Sequence, residues 1–241
     1  MSKKSHSNRS NISRPNLSKL EKSLSYPFQN ISLLKEAVTH RSAGALNNER
    51  LEFLGDSILN FVIAADLFTR YPKSSEGDLS RLRASLVNKD GLFLVSQDLK
   101  LGEYLILGSG ELKSGGYRRN SILADTVEAI FGAAYLDSDL ERCRELILQL
   151  YNEQLENVPD ADSLKDPKTQ LQELLQSRKM GLPEYDVIEI VGKAHNQQFT
   201  VKCKIDKLKL ETQGKASNRR KAEQQAANEI IPLVKNKFSK K

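Results

Sequence analysis

The sequence has no long hydrophobic run and very little cysteine. A membrane-spanning helix needs about 20 mostly apolar residues, and no apolar run in the 241 residues approaches that length. The two cysteines, Cys143 and Cys203, lie far apart and match no metal-ligand spacing. We therefore expect no membrane association and two free thiols in a reducing, cytoplasmic compartment.

The N-terminal segment lacks the apolar core of a secretory signal peptide. Residues 1–15 are instead basic, rich in serine and poor in acids. This composition is typical of a disordered, solvated tail, and an organelle transit peptide is the alternative. We expect residues 1–15 to form a basic disordered tail.

Charge is distributed unevenly along a chain whose formal net charge is +6. Lys and Arg outnumber Asp and Glu by 6 to 1 in residues 1–22, are outnumbered 14 to 19 in residues 23–159, and lead 17 to 11 in residues 160–241. An acidic middle between basic ends suggests a region that concentrates carboxylates, joined to one that attracts a polyanion. Parts of proteins often differ in charge, so this pattern alone favours nucleic acid only modestly.

The acidic middle shows apolar residues at spacings of three and four, which predicts a mostly helical domain. The predicted helices cover residues 31–40, 49–70, 78–88, 90–98, 120–136 and 139–155. Ser75 and Asp78 match the capping box that begins many helices. Four glycines within residues 107–120 predict a loop.

A second domain is indicated where the periodicity changes. Residues 156–167, ENVPDADSLKDP, have the composition of a linker. The predicted elements that follow are a helix at 168–179, strands at 185–191, 198–205 and 207–214, and a helix at 218–231. The order is an α-β-β-β-α module.

Three acids interrupt an otherwise apolar helical segment, NNERLEFLGDSIL, at residues 47–59. At about 100° per residue, Glu49, Glu52 and Asp56 fall on one stripe of the helix, which apolar Leu59 continues. The acidic stripe is therefore not simply the solvated side. This helix is expected to pack along much of its circumference.

A second pair of acids, Asp125 and Glu128, is three residues apart and shares one helical face. Small residues around them, including Gly132, would let another helix approach closely. Unpaired buried carboxylates are costly, and oxygen ligands suit a hard divalent ion such as Mg²⁺ or Mn²⁺. We therefore favour a metal site made by acids from two helices.

Simpler roles for single acids stay open. Glu49 near a helix N-terminus is favourable with the helix dipole alone. Glu52 could pair with an arginine; the candidates are Arg41, Arg50 and Arg81.

The acidic motif NERLEFLGDSIL (48–59) resembles the signature of the ribonuclease III family. Three further segments resemble the bacterial enzyme in the same order: EGDLSRLRASLVN (76–88), GELKSGGYRRNSILADTVEA (110–129) and KDPKTQLQELLQ (165–176). The resemblance covers about residues 20–235. It implies an all-α endonuclease domain, followed by a small α+β double-stranded RNA-binding domain.

The resemblance also implies roles for the six acids. Glu52, Asp125 and Glu128 would be the metal ligands for Mg²⁺, with Mn²⁺ able to substitute. Asp56 and Glu128 would be the catalytic acids, with Asp56 holding water at the metal. The further acids of the catalytic valley would be Glu49 and Glu76.

A homodimer and a reaction follow from the same resemblance. Phe53, between the acids, would insert into the partner subunit. The enzyme would cut double-stranded RNA into 5′-phosphate and 3′-hydroxyl ends, acting on ribosomal RNA precursors and other structured transcripts. No small-molecule cofactor is expected. The implied divisions are a tail at 1–15, the endonuclease domain at 16–155, a linker at 156–165 and the RNA-binding domain at 166–236.

The α-β-β-β-α module, with IVGKAHNQ (190–197) and ASNRRKAEQQAA (216–227), resembles a double-stranded RNA-binding domain. Such domains recognise A-form shape through two minor grooves and the phosphates between them. The residues that match RNA contacts are Gln172, Glu173, His195, Arg219, Arg220 and Lys221. Glu223 stands where many such domains carry lysine, which should weaken the phosphate grip. The loop residues expected near the RNA backbone are Lys113, Arg118 and Arg119.

Two other functions are alternatives to an endoribonuclease. An RNA-binding protein without catalysis should lack at least one of the six acids, and all six are present. A helical di-metal carboxylate protein with a basic appendage would generally carry a Glu-x-x-His pair, which is missing. A metal-dependent endoribonuclease is the leading hypothesis.

Overall fold

The computed structural model describes residues 15–159, 161, 163–193 and 196–239. The predicted N-terminal tail lies outside these residues, except for Pro15. The chain divides into two compact units, Met1–Pro159 and Asp160–Lys241, and each is described by itself. Within the described residues, no helix combines the length and hydrophobicity needed to cross a membrane.

The regular elements that the structure describes in the first unit are helices, apart from an isolated parallel β-bridge between Thr39 and Ile106. Its helices are α1 (Leu17–Leu24), α2 (Ile31–Ala37), α3 (Glu49–Arg70), α4 (Glu76–Val87), α5 (Lys89–Asp98), α6 (Ser109–Lys113), α7 (Asn120–Asp137), α8 (Leu140–Leu150) and α9 (Asn152–Glu156). Helix α7 lies at the centre, and 11 of its 18 residues are buried. Its most extensive contact is with α3.

Local sequence signals explain several helix starts. Ser75 and Asp78 form the predicted capping box at the start of α4, each side chain accepting from the other's backbone N–H. At the start of α3, the Asn47 side chain accepts the N–H of Glu49 at 3.0 Å. These caps satisfy N–H groups that the first helical turn leaves without partners.

The predicted bounds were exact for α3 and within two residues for α4, α5 and α7, and other predictions for this unit were wrong. Helix α1 was not predicted. Residues 107–120 are not one loop, because α6 and a 3-10 turn at Gly116–Arg118 fold within it. The single helix predicted at 139–155 is two helices that break at Tyr151, and the helix predicted at 31–40 ends at Ala37.

The second unit has the predicted α-β-β-β-α order. Its elements are α10 (Pro167–Gln176), β1 (Glu184–Val191), β2 (Gln198–Ile205), β3 (Leu210–Ala216) and α11 (Arg219–Ser239). The sheet order is β1-β2-β3, with both pairs antiparallel. Strand β3 begins three residues later than predicted because a 3-10 turn at Asp206–Leu208 precedes it, and α11 extends eight residues beyond the predicted end.

The core of this unit lies between the sheet and its two helices. It contains Leu171 and Leu175 of α10, Cys203 and Ile205 of β2, and Ala226, Ala227, Ile230, Ile231 and Val234 of α11. Gly214 of β3 permits the close contact with α11, because a Cβ there would stand 2.2 Å from the Ala222 carbonyl oxygen. Cys143 and Cys203 are both free and buried. The predicted fold class, an all-α domain followed by an α+β module, is confirmed.

Candidate active site and RNA-binding surface

Two glycines bring the acidic segments of α3 and α7 together. A Cβ at Gly55 would stand 1.7 Å from the carbonyl oxygen of Glu128, and one at Gly132 would stand 2.2 Å from that of Leu51. The helices therefore touch through their backbones at this crossing. Both glycines lie within one helical turn of an acid, so the contact sets the spacing of the carboxylates.

Three carboxylates meet at this crossing. Glu52 of α3 and Asp125 and Glu128 of α7 each offer one oxygen atom, and these atoms lie within 4.8 Å of one another. All three side chains are partly buried. Glu52 forms no ion pair with an arginine among the described residues, although the charge of Arg41 opposes the rise in its pKa.

Burial raises the pKa values of all three acids, and neighbouring carboxylates add to the rise for Glu52 and Glu128. Burial and the charges of Asp56, Glu52 and Asp125 raise the pKa of Glu128 to about 8. Burial, followed by Asp125 and Glu49, raises the pKa of Glu52. Burial also raises the pKa of Asp125. A cation bound among these carboxylates would favour their charged forms and lower the pKa values.

Of the other predicted acids, Asp56 and Glu49 act electrostatically on the cluster, raising the pKa values of Glu128 and Glu52 respectively. Asp56 is exposed, and its Oδ1 accepts a hydrogen bond of 2.8 Å from Asn60. Glu49 forms an exposed ion pair of 3.3 Å with Arg41. Glu76 begins α4 and accepts a hydrogen bond of 2.8 Å from Ser80. These three acids lie outside the three-carboxylate cluster.

Sequence reasoning did not find Gly55 or Lys89. Lys89 is an exposed residue at the start of α5, and its charge opposes the rise in pKa of all three clustered acids. Nothing in the periodicity of α5 indicates which neighbour Lys89 would face. Gly55 could have been identified from the sequence, because it is a small residue between Glu52 and Asp56 in a helix that was expected to be packed on several sides.

Phe53 projects from α3 with 78% of its surface exposed. Two further phenylalanines of the same helix, Phe61 and Phe68, are 58% and 72% exposed. At about 100° per residue the three lie within one quadrant of the helix. Three exposed phenylalanines on one side of a helix are more apolar surface than a helix of a monomer usually presents.

The predicted RNA contacts of α10 are at the surface. Gln172 and Glu173 are both exposed. Glu173 pairs with Lys165 at 3.0 Å. His195 lies outside the described residues.

The three basic residues at the start of α11 are exposed, and Asn218 caps this helix by accepting the N–H of Lys221 at 2.9 Å. Arg219 forms an ion pair of 2.8 Å with Glu223, which also binds Lys168. Glu223 is only 8% exposed. It therefore ties α10 to α11 instead of facing a bound polyanion, while Arg220 stays exposed beside it.

The glycine-rich loop before α7 holds the remaining predicted cations. Arg119 forms an ion pair of 2.9 Å with Glu111. The guanidinium of Arg118 lies 5.0 Å from the centre of the Tyr117 ring. Lys113, at the end of α6, is exposed.

Comparison with known proteins identifies the family to which this chain belongs. A "Ribonuclease-III-like" family model matches residues 30–155, and a "Double-stranded RNA binding motif" model matches residues 167–232. Proteins named ribonuclease 3 from Shewanella baltica and Shewanella oneidensis are each 58% identical over 220 residues, which is 91% of this chain and 97% of theirs. This chain belongs to the ribonuclease III family. It is an endoribonuclease that acts on double-stranded RNA and depends on a divalent metal ion.

Solved structures of the ribonuclease III nuclease domain from Campylobacter jejuni agree with the first unit. One is 42% identical with a TM-score of 0.57 and covers 58% of this chain and 99% of that one. For that structure, flexibility was described in a region involved in dimer formation. A second is 41% identical with the same TM-score.

The carboxylate cluster suits the metal ion that the ribonuclease III family uses. Its donors are all oxygen atoms, which hard divalent ions prefer. The three acids also carry raised pKa values, which a bound cation would lower. Glu52, Asp125 and Glu128 are therefore chemically fitted to hold such an ion.

Proposed function

We propose that Glu52, Asp125 and Glu128 hold Mg²⁺, for which Mn²⁺ can substitute, and that this site cuts the RNA. The observation that carries the proposal is the meeting of three carboxylate oxygens within 4.8 Å at the α3–α7 crossing. A bound Mg²⁺ would make water more acidic and neutralise charge that develops on the phosphate oxygens.

The residues around the ion would handle water and protons. Asp56, whose Oδ1 is held by Asn60 at 2.8 Å, would orient the attacking water and accept its proton. The charge of Asp56 contributes to the raised pKa of Glu128, so the two acids act on the same part of the site. Glu49 and Glu76 would act as accessory acids of the catalytic valley. The products would carry 5′-phosphate and 3′-hydroxyl ends.

We further propose that the protein acts as a homodimer through α3. Phe53 would insert into the partner subunit, and the exposed Phe61 and Phe68 support an interface along this helix. Two sites in a symmetric dimer would each cut one strand of a duplex. The nuclease domain would span residues 16–155, with a linker at 156–165.

The second unit would bind the duplex. We propose that residues 166–236 form the RNA-binding domain and that the RNA contacts are Gln172, Glu173, His195, Arg219, Arg220 and Lys221. The start of α11 supports this, because backbone N–H groups and basic side chains both attract phosphate there. The substrates would be ribosomal RNA precursors and other structured transcripts, in the cytoplasm.

The decisive experiment compares cleavage of a long RNA duplex by the wild type, by Glu128→Gln and by Glu153→Gln. Glu153 is an exposed acid of α9 that serves as the matched control. We expect the wild type and the control to cut with Mg²⁺ and to stop with EDTA. The Glu128→Gln variant should bind the duplex as well as the wild type but cut it at least about 100-fold more slowly. Binding without cleavage by the wild type, in Mg²⁺ and in Mn²⁺, would contradict the proposal.

A further inference from the structure

Tyr151 brings a buried hydroxyl group without a partner into the interior of the first unit. The residue lies at the break between α8 and α9 and is fully buried. Its backbone is satisfied, because its N–H donates to Ile147 at 3.0 Å and its carbonyl accepts from Leu155 at 2.8 Å. Its hydroxyl oxygen is buried and forms no hydrogen bond within the described residues. An unpaired buried hydroxyl is costly, and a phenylalanine would fill the same space without it, so packing alone does not account for a tyrosine here.

The ring of Tyr151 packs against α7 one turn beyond Glu128. Its centre lies 6.4 Å from the centre of the Phe131 ring. On α7, Asp125 and Phe131 stand three residues before and three residues after Glu128, which is about one helical turn on either side. Tyr151 therefore approaches Glu128 from the side away from Asp125, the other acid that α7 brings to the cluster.

The charge of Glu128 acts on the Tyr151 hydroxyl. Burial raises the pKa of Tyr151, and among the described groups the Glu128 carboxylate is the charge that adds to the rise. A phenol whose pKa is raised stays protonated at neutral pH and can donate a hydrogen bond. Tyr151 is therefore a donor without an acceptor, within the electrostatic reach of Glu128.

Glu128 has a carboxylate that no described side chain holds. Its raised pKa comes from burial and neighbouring charges, with no hydrogen bond among the causes. Asp56, by contrast, is held by Asn60 at 2.8 Å. One oxygen atom of Glu128 belongs to the three-carboxylate cluster, which leaves its other oxygen for a donor. Carboxylates that bind metal ions are ordinarily hydrogen-bonded by a neighbouring group that fixes their orientation.

We propose that the Tyr151 hydroxyl donates to the Glu128 oxygen that does not bind the ion, and so positions this ligand for the cation. The inference rests on the proposed metal site. Tyr151 touches neither the RNA nor the reacting atoms, so it is a positioning residue that acts through Glu128. Because its ring is held in the core, it would favour one orientation of the carboxylate and raise the affinity for the ion.

Tyr151→Phe removes the hydroxyl and keeps the ring. Mn²⁺ binding to the full-length protein is measured by isothermal titration calorimetry, and metal-free stability by urea denaturation in EDTA. We expect Tyr151→Phe to bind Mn²⁺ about 10-fold more weakly than the wild type, while its stability in EDTA equals or exceeds that of the wild type. Tyr104→Phe is the matched control, because Tyr104 is another buried tyrosine of this unit, 8% exposed, and it should leave Mn²⁺ affinity unchanged.

Two results would overturn the role of Tyr151. One is an Mn²⁺ affinity of Tyr151→Phe that equals that of the wild type. The other is a loss of stability in EDTA as large as the loss with Mn²⁺ present, which would show that the hydroxyl has a structural partner, such as a buried water, with or without the ion.

A double variant tests whether the effect passes through Glu128. Glu128→Gln should itself weaken Mn²⁺ binding, and adding Tyr151→Phe should weaken it by less than about twofold more. A further 10-fold loss in that background would assign the hydroxyl to another group and overturn the proposal. Wild type that binds Mn²⁺ no better than Glu128→Gln would defeat the proposed metal site and with it the role of Tyr151. Tyr151→Phe that binds like a metal-binding wild type would defeat the role of Tyr151 alone.

Discussion

A Cβ atom at position 55 would stand 1.7 Å from the carbonyl oxygen of Glu128. Gly55 of α3 therefore touches the α7 backbone at the residue that carries one of the proposed metal ligands. The same crossing places Gly132 of α7 against Leu51 of α3. The position of the carboxylate cluster depends on this backbone contact.

Gly55→Ala should be strongly destabilising, because the new methyl group can be accommodated only if the two helices separate. We expect a loss of about 3 kcal/mol in the free energy of unfolding, measured by urea denaturation. Gly110→Ala is the matched control, since a Cβ there meets nothing within 4 Å. It should leave stability unchanged or raise it by up to about 1 kcal/mol. Equal behaviour of the two variants would contradict the proposed role of the contact.

The metal-free protein should lose stability as pH rises. The pKa of Glu128 is raised from 4.5 to about 8, so between these values the folded protein retains a proton that the unfolded chain has released. Unfolding then releases protons, and stability falls with increasing pH. In EDTA at pH 8.5, Glu128→Gln should melt about 4 °C or more above the wild type. At pH 4.5 the two melting temperatures should agree; a gap that does not change with pH would refute this explanation.

Phe53→Asp should convert the dimer into monomers, because it places a charge in the proposed apolar interface. Sedimentation velocity at micromolar concentration would measure the change, with the sedimentation coefficient falling to that of a single chain. Leu182→Asp provides a control at a similarly exposed apolar residue, 62% accessible in the second unit. Dimers that persist in Phe53→Asp would exclude this residue from the interface.

Arg220→Ala should weaken binding to duplex RNA about fivefold and lower the slope of log affinity against log salt by about 1. Arg219→Ala should lose less, because its guanidinium is already paired with Glu223. Fluorescence anisotropy at several salt concentrations would measure both. Lys235→Ala, near the other end of α11 and exposed, should leave affinity and slope unchanged.

Glu223→Ala should destabilise the second unit by roughly 2–3 kcal/mol, because it removes hydrogen bonds to two charged partners. Burial alone would raise the pKa of Glu223, but hydrogen bonds from Lys168 and Arg219 lower it. The stabilisation is therefore present above pH 4.5 and lost as pH falls through the lowered pKa. Thermal unfolding should show a gap between this variant and Glu229→Ala, an exposed control on α11, that closes on acidification.

The sequence predicted the helices and strands whose signals are local. The apolar spacing of α3 gave its bounds without error, and the capping box of Ser75 and Asp78 was predicted correctly, although α4 begins two residues before the predicted start. The glycine-rich segment before α7 was predicted wrongly, because only Gly115 there adopts a left-handed conformation and α6 forms just before it. Glycine count alone does not separate a loop from a short helix.

The acids of the candidate site were identified from the sequence, but the distances between them could not be predicted from it. Periodicity places Glu52 and Glu128 on helical faces without saying how closely those helices approach. That distance depends on Gly55, whose role becomes visible only when α7 lies against it. The sequence did not show that Glu223 binds Lys168 of α10, because Lys168 is 55 residues away in the chain.

The backbone contact between α3 and α7 also links metal binding to folding. The proposed ligands come from two helices that are far apart in sequence, so a bound ion would act as a crosslink present only in the folded bundle. Ligands that bind only the folded state raise its stability by mass action. The metal content of the medium would then set how often the nuclease unit opens, and amide hydrogen exchange in α3 and α7 would slow as the ion becomes abundant.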